Sequence, residues 1–235
     1  DATEAGAVPK WDVKGPPSIK EYTGNLARLY TEVMPPTSLC RISVEGGEGP
    51  FNGWEAMKVL FAMSGATPTS SRLLRLEVVM QGFHSAMQFT DWFGTGEASL
   101  MKWASLKLGP RRDERRYVGT WRLFAQLYDL DVIVWKSNHR GVRRRHPESV
   151  LAYNPDGVHP DQLHVEVIHD SDGATKWVPL IDMAKPGHRQ RVEDLKQAKA
   201  DGVLKTCADT PAVAEAMRID EDELALFSGK VTPTG

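Results

Sequence analysis

At 235 residues, with 41% hydrophobic residues, seven tryptophans and seven phenylalanines, the chain can bury one medium-sized core with extensions, or at most two small ones. A formal net charge of −2 gives no whole-chain argument for nucleic acid or for an acidic partner. No apolar run approaches the roughly 18–20 residues that cross a bilayer, which excludes a membrane-spanning reading of the sequence.

The chain opens on Asp1 without an initiator methionine and without the basic start and apolar stretch of a signal peptide, implying a processed product or a partial chain. Residues 1–24 hold Pro9, Pro16, Pro17 and a lone Trp11 without periodicity, and read as an extended arm that docks on its own domain or on a neighbouring protein. Residues 25–34 are weakly helical, and Pro35-Pro36 stops them before a strand-like alternation from Leu39 to Val44. Gly46, Gly47 and Gly49 form a loop that leads into a helix from about Gly53 to Met63. Helical spacing continues over Leu73, Leu74, Glu77, Val78 and Gln81, then over 86–93, 100–108 and 118–128. The period then changes. Residues 132–135, 150–153, 163–168 and 177–181 are β-branched or aromatic runs, and Ser171-Asp172-Gly173 supplies the turn of a hairpin. After Pro186-Gly187 the pattern is helical again over 192–200, 211–217 and 221–227.

This segregation predicts an α+β fold, with a helical half packed on a small antiparallel sheet of about four or five strands. The expected divisions are an arm at 1–24, a domain at 25–185 and a helical tail at 186–235. The two cysteines, Cys40 and Cys207, lie far apart without Cys-x-x-Cys spacing, so neither a disulfide framework nor a zinc site is expected. Both read as structural thiols of an intracellular, cytoplasmic protein, and no cofactor or metal is implied.

The segments richest in chemical meaning are Gly49-Pro50-Phe51-Asn52-Gly53-Trp54-Glu55-Ala56-Met57 and Ala174-Thr175-Lys176-Trp177-Val178-Pro179-Leu180. A thiol protease places its cysteine at a helix N-terminus, where the positive end of the helix lowers the thiol pKa, and a histidine on a facing strand. Asn52 and Lys176 stand at those positions and supply neither group. Locally, Asn52 is a strong N-cap residue, and Glu55 three positions on nearly completes a capping box, worth about 1 kcal/mol. Lys176 beside a turn reads as a charge that blunts a sheet edge.

The first segment resembles the nucleophile segment of the ovarian-tumour (OTU) and viral papain-like cysteine proteases, Gly-x-Cys-Gly-Trp-x-Ala-Leu, with Asn52 on the cysteine. Thr120 to Tyr128 followed by Val132-Ile133-Val134-Trp135 is similar to that family's next helix and central strand. Leu163 to Ile168 and Lys176-Trp177-Val178-Pro179 resemble its closing hairpin, with Lys176 on the histidine. The resemblance covers about residues 38–182 and implies a papain-like fold. Its catalytic residues do not carry over, which leaves Asn52, Trp54, Lys176 and Trp177 as a degenerate site. A rescue by Cys40 and His164 would need the thiol on a strand rather than at a helix start.

Two arginine clusters remain: Arg111, Arg112, Arg115 and Arg116 before one helix, and Arg143, Arg144 and Arg145, with Arg140 and His146, between two strands. They are solvated loops neutralised in part, or contacts for phosphates or an acidic protein surface. The expectation is a catalytically inactive OTU-like pseudoprotease that serves as a structural or protein-binding module. The Gly-Trp and Trp-Val-Pro flavour points to a viral, capsid- or assembly-associated protein reaching its partner through the arm. Alternatives are an active cysteine protease or deubiquitinase, with an engineered replacement or using Cys40, and an RNA-binding protein acting through the arginines.

Overall fold

The apolar runs late in the chain supply the centre of the sheet in the computed structural model, which describes residues 19–33, 39–42, 52–64, 74, 77, 78, 81, 114–138, 140–154, 162–169 and 175–200. In chain order the elements are β1 (Lys20–Thr23), α1 (Asn25–Val33), β2 (Leu39–Arg41), α2 (Asn52–Met63), α3 (Glu114–Leu127), β3 (Val132–Ser137), β4 (Ser149–Ala152), β5 (Leu163–His169), β6 (Thr175–Asp182) and α4 (His188–Ala200). Leu74, Glu77, Val78 and Gln81 are also helical, with Leu74, Val78 and Gln81 buried. The helices expected over 86–93, 100–108 and 211–227 lie outside the described residues.

The α+β expectation holds, and the sheet is larger and less regular than the sequence suggests. Six strands run in the order β1-β4-β3-β5-β6-β2. All pairs are antiparallel except β3 and β5, which run parallel with Val132 opposite Leu163 and Ser137 opposite Ile168. The purely antiparallel expectation fails because the chain leaves β4, passes β3 and returns on its other side. After two reversals β5 must run with β3. Alternation marks a strand but carries no information about its neighbour.

β1 is the unexpected strand. Its sequence Lys-Glu-Tyr-Thr has no apolar alternation, and it forms by pairing with β4 from Lys20–Ala152 to Thr23–Ser149. Ile19, just before it, is buried in the main core. The Ile19 N–H donates to Gln126 Oε1 at 3.3 Å, and its carbonyl accepts from Arg122 Nε. Residues 19–23 are thus built into the domain, while residues 1–18 lie outside the described residues.

The two sheet faces bury different partners. On one, Trp54, Met57 and Leu60 of α2 and Trp121, Phe124 and Ala125 of α3 pack on Val132, Val134, Leu151, Val165, Val167 and Trp177. Ala27 of α1 joins Ile133, Trp135, Val150, Ala152 and Leu180 in a second cluster. Each large side chain so buried contributes about 1.5–3 kcal/mol. Every residue of α2 from Asn52 to Leu60 is buried, so this helix is the internal axis of the domain. α4 closes the far end of α2 through Val59, Met63, Ile181, Val192 and Leu195, and Arg191 Nη1 donates to the Met63 carbonyl at the helix C-terminus.

Candidate functional site

α2 starts at Asn52, where a polar side chain is 2% exposed and needs internal partners. It finds both on β6. Asn52 Nδ2 donates to the Trp177 carbonyl at 2.9 Å, and Asn52 Oδ1 accepts the Trp177 N–H. Among the described residues β2 pairs with β6 at Leu180, Ile181 and Asp182, and Ile42 N–H adds one bond to the Pro179 carbonyl. Upstream of that contact the side-chain amide of Asn52 does for Trp177 what a neighbouring strand would do, presenting one donor and one acceptor. The expected capping role is corrected accordingly: the carboxamide turns to the strand rather than back onto the first turn of its own helix. Glu55, the expected other half of the capping box, instead forms an ion pair with Lys58 at 2.7 Å, both side chains 1% exposed. The pair spans one helical turn inside the protein.

The structure therefore brings the two singled-out segments together across 125 residues of sequence, through Asn52 and Trp177. It does not bring Lys176 to the same side. Trp177 packs in the α2–α3 core opposite Val167, while Lys176 is opposite Ile168, and alternate residues of a strand project from opposite faces. Trp54 and Trp177 are both buried in that core. The Trp177 indole leans on Trp121 at 5.3 Å between ring centroids; Trp121 meets Phe124 edge-on at 5.8 Å, Phe124 meets Tyr128 at 5.3 Å, and Tyr128 meets Phe61 at 4.4 Å. Five rings thus run without a break from the junction along one face of α3 and back to Phe61 of α2. Burial, followed by the Glu77 carboxylate that its hydroxyl contacts, pushes the Tyr128 pKa up. The aromatic ladder was invisible as such in the sequence, because its members come from α2, α3 and β6.

Cys40 and His164 are not a dyad. Cys40 is exposed and sits opposite Ile181, whereas His164 is buried and sits opposite Leu180, one register position away and so on the other face. His164 Nδ1 accepts the Trp135 indole N–H at 3.2 Å, with the two rings stacked. Its pKa is pushed down to about 3, chiefly by burial and then by the charge of Lys185, so the ring is neutral.

A second polar centre lies on the His164 side of the sheet and was not anticipated. Glu166 of β5 is fully buried, and its carboxylate accepts from Arg41 Nε at 2.7 Å, Arg41 Nη2 at 3.1 Å, Arg143 Nε at 3.1 Å and the Ser137 hydroxyl. Burial alone would raise its pKa, but the bonds from Arg41, Ser137 and Arg143 outweigh that and lower it. Arg41 also donates to the Gly141 carbonyl at 2.8 Å. The clamp ties the edge strand β2 and the β3–β4 hairpin to the middle of the sheet.

This changes the meaning of the second arginine cluster. Arg143 is a structural ligand of Glu166, and Arg144 pairs with Glu148 at 3.0 Å on the surface. Arg140 and Arg145 are exposed. Arg111 and Arg112, and the side chains of Arg115 and Arg116 in the first turn of α3, lie outside the described residues. Among the described residues no group of three or more His, Cys, Asp or Glu is placed to hold a metal ion, and no helix is long and apolar enough to cross a membrane. No family model matches the chain, and neither a search of curated proteins nor one of solved structures returned a match.

Proposed function

We propose that this chain is a catalytically inactive, OTU-like member of the papain-like α+β proteins, acting as a structural or protein-binding module of an assembly such as a viral capsid. The observation that carries the reading is the Asn52–Trp177 junction. A buried helix meets the last long strand of the sheet at its N-terminus, in the order that the resemblance implies. The side chain at the meeting point is an amide already committed to main-chain partners. An amide so bonded offers no nucleophile, and His164, on the opposite face with its Nδ1 lone pair taken by the Trp135 indole N–H, offers no base within reach. Engineered inactivation ordinarily changes one residue, to alanine or serine; asparagine and lysine together fit a natural loss of catalysis. The partner we propose is another protein, met through residues 1–18 with Trp11 and their prolines.

Reactive ubiquitin and peptide probes that form thioethers test the inactive reading. The expected result is no adduct on either cysteine of the folded protein, Cys40 or Cys207. A stoichiometric adduct that depends on the probe's recognition element would overturn it and restore the protease reading.

A further inference from the structure

Asn52 is followed by Gly53, and this is the sole Asn-Gly pair of the chain; the other asparagines precede Leu26, His139 and Pro155. Asn-Gly is the dipeptide in which the following main-chain nitrogen reaches the side-chain carbonyl most easily, because glycine has no Cβ to hinder the approach. In the folded protein that approach is blocked in three ways. Both residues are helical, which turns the Gly53 nitrogen away from the Asn52 side chain. Both polar atoms of the carboxamide are bonded to Trp177. The site is also closed to the water that the reaction consumes, with Asn52 2% exposed.

We propose that Asn52-Gly53 is a deamidation site that folding locks shut, and that its modification breaks the α2–β6 junction. The Gly53 nitrogen attacks Cγ of Asn52, forming the C–N bond of a succinimide; the C–Nδ2 bond breaks and ammonia leaves with the proton released from the Gly53 nitrogen. Water then opens the ring at either carbonyl, leaving aspartate or isoaspartate. The net change is one water consumed and one ammonia released, with no redox partner. In the product, an oxygen replaces the nitrogen that donated to the Trp177 carbonyl at 2.9 Å. Two acceptors then face each other in a buried site, one of them charged. Isoaspartate also inserts a methylene into the main chain at the start of α2. A chain modified while open refolds without the bond from residue 52 to the Trp177 carbonyl, so the step leaves an irreversible record of lost folding.

The test ages the full-length protein at mildly alkaline pH, folded and in urea, and reads the mass gain of deamidation at each asparagine by peptide mapping. Position 52 is expected to react fastest of the four in urea. In the folded protein it should react at least ~10-fold more slowly, the ratio that ~1.4 kcal/mol of opening free energy produces. Equal rates at position 52 in the two states would overturn the proposal. Its second half is read by melting aged wild-type protein after separation by charge, alongside Asn52→Asp. Both should melt below the unmodified protein, and the deficit of Asn52→Asp should shrink on acidification, when the carboxyl group regains a donor. An unchanged melting temperature of the separated, modified wild-type fraction would sink it.

Discussion

At position 52 two demands compete for one carboxamide: the N–H groups in the first turn of a helix and the main chain of β6 at Trp177. The strand wins because a carboxamide matches a main-chain N–H and C=O simultaneously, whereas a cap uses only its oxygen. The consequence is testable at that residue. Asn52→Ala leaves the Trp177 N–H and C=O buried without Asn52, and should destabilise the protein by about 2–4 kcal/mol in urea titrations. Asn52→Ser, a good cap that cannot bridge both groups, should recover little of that loss; full recovery would show that capping is the role. The buried Glu55–Lys58 pair gives a second prediction at this scale. Lys58→Met alone should cost about 3 kcal/mol by removing the cation that faces a buried carboxylate, while Glu55→Gln combined with Lys58→Met should cost clearly less.

Among the elements, β5 carries the heaviest burden because its two faces do different things. Leu163, Val165 and Val167 enter the α2–α3 core, while His164 and Glu166 hold the opposite face by polar bonds. Strand alternation assigned these residues to two faces in advance, but not the partners of Glu166, which come from β2, β3 and the hairpin loop. Glu166→Gln keeps the volume but removes the charge facing two partly exposed arginines, and should cost about 2–3 kcal/mol. Its signature in hydrogen exchange is local: amides of Cys40, Ile42, Val142 and Arg144 should lose protection before those of β5. Uniform loss across the sheet would mean that the clamp does not tie the edge to the centre.

For the whole molecule, the buried histidine and the buried carboxylate make stability fall with acid. The folded-state pKa of His164 lies near 3, below its ordinary 6.5, so the unfolded chain binds the extra proton and stability declines as pH falls from 6.5 toward 3. The slope approaches about 1.4 kcal/mol per pH unit below the ordinary value. Glu166, also held below its ordinary 4.5, adds a loss that begins only as pH falls through that value. Between pH 6.5 and 4.5 the decline of these two groups therefore belongs to His164. Urea midpoints across that window should fall for the wild type and fall less steeply for His164→Gln, which keeps only the contribution of His188, a second histidine whose pKa burial lowers. A parallel decline in both proteins would remove His164 from the account.

Apart from β1, the types of the described elements were legible in the sequence, since periods of 3.6 and 2 follow from the local geometry of helix and strand and need no knowledge of the neighbours. It also marked Asn52 and the strand around Trp177 as belonging to one place, because both resemble segments that meet in a known fold. What they do there follows from the folded chain. Whether a carboxamide caps its helix or stitches a strand depends on which unpaired groups come within reach, and those are 125 residues away in the chain. The same holds for β1, whose four polar residues become a strand only because β4 offers an edge. It holds too for Arg143, whose charge reads as a surface feature until Glu166 is found buried beneath it. Period is a property of neighbouring residues; pairing is a property of the folded chain.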